Sequence, residues 1–162
     1  TWMTHGVFEI TLSAEDDEGN SHSIEISVRI DMHIVWTESS TASSAMSFDV
    51  TPDCEDGQPL ADRITISSTV DNPNSGFWGG GGANSDVTWT LVNPNDEEIA
   101  SNTGTVGEGQ SQTWDYTSRD TAEGVWKLNI EVAENGDDVN VNNDVTIAYP
   151  EGSEDAINPR TE

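Results

Sequence analysis

Basic residues are nearly missing from this chain. Its 162 residues hold 5 Lys and Arg against 31 Asp and Glu, a formal net charge of −26 at pH 7. Such a surface repels nucleic acid and anionic membranes, both of which are bound through Lys and Arg, so neither is an expected partner. Cysteine occurs once, at Cys54. That excludes an intrachain disulfide and says little about compartment. No apolar run reaches transmembrane length, so no direct membrane insertion is expected. Sustained helical periodicity is absent as well. The motifs G-x-S-x-G and H-E-x-x-H are missing, and there is no Cys pair, so the expectation is a protein without catalysis. The chain opens at Thr1 and not at Met, as expected of a piece processed or excised from a longer protein.

Aromatic mass and alternation are present. The apolar fraction of 33% implies a thin core, placed between two sheets, to which the six Trp contribute large apolar areas. Charge repulsion of this size is relieved by salt, which fits a saline or marine setting outside the cell. Phe8, Ile10 and Leu12 alternate with Glu9 and Thr11. After the turn "EDDEGN", Ile24, Ile26 and Val28 alternate with Glu25, Ser27 and Arg29. The pattern predicts a β-hairpin with one apolar face.

The same parity runs on through Ile30, Met32, Ile34 and Trp36. One strand from 24 to 36 would span roughly 43 Å, about twice the usual length. Two strands joined end to end at Asp31 explain the pattern better. Short alternating segments then follow, around Met46 to Val50, Ile64 to Val70, Val87 to Leu91, Trp114 to Tyr116, Trp126 to Val132 and Val139 to Tyr149. Strands at this spacing with no helix between them predict an all-β chain, an antiparallel β-sandwich of immunoglobulin-like or jelly-roll type. The expected divisions are a terminal hairpin at 1–31, a sandwich at 32–149 and a polar tail or linker at 150–162.

The stretch "GVFEITLSAEDDEGNSHSIEISVRI" resembles the C-terminal end of PKD-type and related immunoglobulin-like repeats. The stretch from Asp86 to Ala148, with "VTWTLVNPNDEEI", "WDY" and "AEGVWKLNIEVAENGDD", resembles the P-domain class of jelly-roll sandwiches found beside secreted subtilisin-like proteases. Here "NPND" stands where that family usually has a Ser-Pro-x-Gly turn. Both resemblances imply accessory or structural modules and carry no catalytic residues. The expected localisation is extracellular or at the cell surface. Expected partners are other domains of a larger protein, neighbouring copies of the chain, or carbohydrate.

Three acidic groups are candidate calcium ligands: Asp16, Asp17 and Glu18; Asp53, Glu55 and Asp56; and Asp137, Asp138 and Asp144. Calcium takes oxygen ligands, which carboxylates supply. None of the three matches the D-x-[DN]-x-[DN]-G loop, and solvated acidic turns are the competing reading. In "NSGFWGGGGANSD", Phe77 and Trp78 precede four glycines. Either the two aromatics stack on a sugar or enter a partner's pocket, or they cap the open end of the sandwich. Trp89 and Trp126 read as core. His22 and His33 are expected on solvent-facing parity. The apolar residues Phe8, Ile10, Leu12, Ile24, Ile26 and Val28 need a cover, because an isolated hairpin is marginal in water. They either pack on the following sandwich or complete a sheet in a neighbouring chain, and the short junction at Asp31 favours the first.

Overall fold

Alternation in the sequence becomes ten strands in the computed structural model, which describes residues 5–52, 60–73, 82–133 and 137–150. In order they are β1 (Gly6–Glu15), β2 (Ser21–Ile30), β3 (Met32–Thr41), β4 (Ser43–Asp49), β5 (Arg63–Asn72), β6 (Ser85–Val92), β7 (Glu98–Val106), β8 (Gln110–Ser118), β9 (Val125–Val132) and β10 (Val139–Ala148). No helix occurs among the described residues. Three antiparallel sheets result, ordered β1-β2, β3-β10-β5-β8 and β4-β9-β6-β7. From β3 onward every connection crosses from one four-stranded sheet to the other, except the β6–β7 hairpin. Eight strands wound in this order form a jelly-roll sandwich. The expected antiparallel sandwich is therefore present, in its jelly-roll form.

Period-two burial builds the core. Along β4 exposed and buried residues alternate strictly, with Met46 and Phe48 inward. Along β9, Trp126, Leu128 and Ile130 turn inward. Trp89 and Trp126 are fully buried, and each finds an acceptor for its indole N–H, as a buried Trp requires. Trp89 Nε1 donates to Ser68 Oγ at 2.9 Å, and Trp126 Nε1 donates to the Ala122 carbonyl at 2.9 Å. Phe48 stacks near Trp126 with centroids 6.5 Å apart.

Two buried polar residues, Asn143 and Ser68, sit between tryptophans in one row of the first four-stranded sheet. The strand registers place Trp36, Asn143, Ser68 and Trp114 side by side on β3, β10, β5 and β8. Asn143 is fully buried, and neither of its side-chain polar atoms has a protein partner.

Two of the turns share one design. In β6–β7, the Asp96 N–H donates to the Asn93 carbonyl at 3.0 Å, and Asn93 Oδ1 accepts from the N–H groups of Asn95 and Glu97. Asp96 is left-handed at φ 59°. In β1–β2, the Gly19 N–H donates to the Asp16 carbonyl at 3.1 Å, Asp16 Oδ1 accepts from Glu18 and Asn20, and Gly19 has φ 86°. Each is a short hairpin loop closed by a left-handed residue, with an Asx side chain capping it.

Candidate functional site

The β1–β2 hairpin stands apart from the two sandwich sheets. Its register pairs Phe8 with Val28, Ile10 with Ile26, and Leu12 with Ile24, so all six share one face. The opposite face carries Glu9 with Ser27, Thr11 with Glu25, and Ser13 with Ser23. Every residue from Glu9 to Glu25 is exposed. Ile10 is 44% exposed, Leu12 51%, Ile24 39% and Ile30 41%, while Phe8, Ile26 and Val28 are half-buried. His22 lies on this apolar face, opposite Ala14 at the exposed tip, and so departs from its expected parity.

Only the base of the hairpin joins the sandwich. Val7 is buried in the common core. His5 is buried beside Tyr149, with its Nδ1 2.6 Å from the tyrosine hydroxyl. Asp31, the one residue between β2 and β3, accepts the Tyr149 N–H through Oδ1 at 2.9 Å and lies 3.5 Å from Arg29 Nε. Arg29 also donates to the Tyr149 carbonyl at 3.4 Å. These contacts gather on the residue that follows β10. Contacts with the sandwich are made at the base of the hairpin, and its residues from Glu9 to Glu25 are exposed. A one-residue junction leaves no slack for the hairpin to fold back, and a strand of 10 residues reaches about 33 Å.

The acidic candidates separate. Asp16 is engaged in its own turn, where Oδ2 accepts from Asn20 Nδ2 at 2.9 Å in addition to the backbone bonds. The Asn20 side chain first, then the Asn20 backbone N–H, with smaller help from Glu18 and Gly19, holds the Asp16 carboxyl below the usual aspartate value. Asp17 and Glu18 are exposed at the same tip. Asp144 lies on the outer face of β10, 2.8 Å from His33 Nε2. Seven residues of extended chain put it roughly 20 Å from Asp137. Asp138 is exposed, whereas Asp137 turns one carboxylate oxygen, Oδ2, into a buried position. Among the described residues no three His, Cys, Asp or Glu side chains gather as a metal-binding group. Asp53, Glu55, Asp56, Phe77 and Trp78 lie outside the described residues, as does the tail from 151 onward.

His5 and Tyr149, the anchors of the hairpin, carry no signal as a pair, since 144 residues separate them. Tyr149 reads only as the end of an alternating strand. The apolar face was visible because period two exposes it directly.

No family model matches the chain, and no curated protein matches it. The fold defines its class: an acidic jelly-roll β-sandwich bearing a projecting two-stranded hairpin.

Proposed function

We propose that the chain is a non-catalytic structural or adhesive module of an extracellular or cell-surface assembly, and that it acts through its hairpin. The observation that carries this reading is the open apolar face of β1 and β2. Exposed contiguous apolar surface on a soluble protein marks an interaction site. The occupant best suited to it is the same face of a second copy, which would close two hairpins into a small two-layer sandwich. Acidic side chains stay off the seam: Glu9, Glu15 and Glu25 all belong to the opposite face. Such a face is self-complementary under two-fold symmetry. The high negative charge makes the association salt-dependent, since the copies must approach against their mutual repulsion.

Light scattering coupled to size exclusion, over a concentration series in low salt and in about 1 M NaCl, tests the reading. Concentration-dependent dimers should form and strengthen with salt. The double substitution Leu12→Asp, Ile24→Asp should return the chain to monomer while leaving its thermal unfolding transition in place. A full-length chain that stays monomeric at every concentration and salt would refute this mode of action.

A further inference from the structure

Tyr149, the residue that follows β10, is 1% exposed, and residues at the base of the hairpin reach each of its polar groups. Its N–H donates to Asp31 Oδ1 at 2.9 Å. Its carbonyl accepts from Arg29 Nη1 at 3.4 Å. Its hydroxyl lies 2.6 Å from His5 Nδ1, and the two rings stand 5.6 Å apart, tilted by 40°. These contacts come from both strands of the hairpin. His5 leads into β1, Arg29 lies near the end of β2 opposite Val7, and Asp31 follows β2. Val7 adds an apolar contact, buried in the common core. On the sandwich side the anchor is backed by a whole sheet. There β10 pairs with β3 on one side and β5 on the other, and the Ala148 carbonyl accepts the Asp62 N–H at 2.7 Å.

A single junction residue would by itself be a hinge. Each residue has two soft dihedrals, so Asp31 alone would let strands of 10 residues swing about their base. Contact at one point would still leave rotation about that point. Contacts from both strands to one buried residue remove it. We propose that Tyr149 is a positioning residue: it turns the hinge at Asp31 into a fixed joint, so that the hairpin is a rigid arm. The apolar face of β1 and β2 is then held in one orientation to the sandwich before any partner arrives. A partner that docks there does not have to order the arm, which favours binding. For two copies paired through that face, the joint sets the angle between their sandwiches. That consequence rests on the self-association proposed above, whereas the joint does not.

The test uses the full chain, dilute and in low salt, where mutual repulsion keeps copies apart. Amide relaxation by NMR compares positions in the middle of the hairpin, such as Ile10 and Ile26, with positions in β5 and β10. In the unsubstituted chain both sets should tumble together, with order parameters of about 0.85. In the double variant Tyr149→Phe, Asp31→Ala the aromatic ring is kept, while the hydroxyl contact and the acceptor for Tyr149 and Arg29 are lost. Hairpin order parameters should then fall below about 0.6, with β5 and β10 unchanged and the thermal transition retained. A hairpin more mobile than the sandwich in the unsubstituted chain would overturn the joint, and that measurement does not depend on the variant folding. A hairpin no more mobile after the double substitution would overturn the role given to Tyr149. A chain that stays monomeric at every concentration refutes the self-association alone and leaves these order parameters as the test of the joint.

Discussion

Gly124 shows how one residue fixes an entry into the core. It has φ +120°, and a Cβ there would lie 3.0 Å from Pro94 Cβ. Its carbonyl accepts the Val50 N–H at 3.0 Å, so the backbone cannot relax without releasing β4. Two residues later Trp126 begins the buried face of β9. Gly124→Ala should destabilise the chain by about 1–3 kcal/mol, read from a denaturant midpoint with unchanged slope. A change within about 0.5 kcal/mol of zero, the range of an ordinary surface substitution, would show that the conformation is not required. Asp16 acts through charge instead. Hydrogen bonds from Asn20, Glu18 and Gly19 lower its folded carboxyl below the unfolded value. The turn's advantage is then complete above the unfolded value and lost as the pH falls through the folded one. On acidification, the amide signals of Glu18 and Asn20 should move together, with a midpoint below that of an ordinary aspartate. A midpoint at or above the ordinary value would mean that the cap is not formed.

At the scale of elements, the hairpin and the sandwich are joined through few residues, and this predicts how separable they are. Removing residues 1–30 deletes the buried Val7 and His5 and the Arg29 contacts, and leaves Asp31 to hold Tyr149. The eight-strand sandwich should stay folded with one cooperative transition. Its loss of stability should be about 2–3 kcal/mol, the size expected for uncovering one aliphatic side chain and a hydrogen-bonded ring. Aggregation or loss of the transition would instead make the hairpin an integral part of the fold. Alternation alone revealed these two units: the parity of Ile24 to Trp36 ran too long for one strand, and the break falls at Asp31. It also placed Trp89 and Trp126 in the core, because period two states which face a residue occupies. It does not state which strand is the neighbour. That β10 lies between β3 and β5 depends on pairings such as Val145 with Ile34 and Ile66, far apart in the chain. The meeting of Asp31 with Tyr149 was hidden for the same reason, since 118 residues separate them. Asp16, Asp17 and Glu18 drew attention through local density, yet the Asp16 carboxylate is occupied by its own turn.

For the molecule as a whole, charge decides the conditions under which the fold is at its best. The described ion pairs Arg29–Asp31 and Lys127–Asp96 both involve exposed groups, and surface pairs of this kind contribute little. They cannot offset a formal −26 on 162 residues. Repulsion among these carboxylates is spread over the surface, so it responds to screening more than to any single substitution. Between about 10 mM and 1 M salt the Debye length shrinks from about 30 Å to about 3 Å, which removes nearly all interaction between non-adjacent surface charges. The thermal midpoint should therefore climb steeply with NaCl up to a few tenths molar. NaCl and KCl should act alike there, because screening depends on ionic strength and not on the identity of the cation. A sodium sulfate series adds a further distinction: sulfate strengthens apolar burial as well as screening, so its curve should keep rising where the chloride curve flattens. A midpoint independent of NaCl at constant pH would show that the unfolded chain retains as much repulsion as the folded one. The acidity would then serve solubility and the approach of partners, with no bearing on the stability of the sandwich.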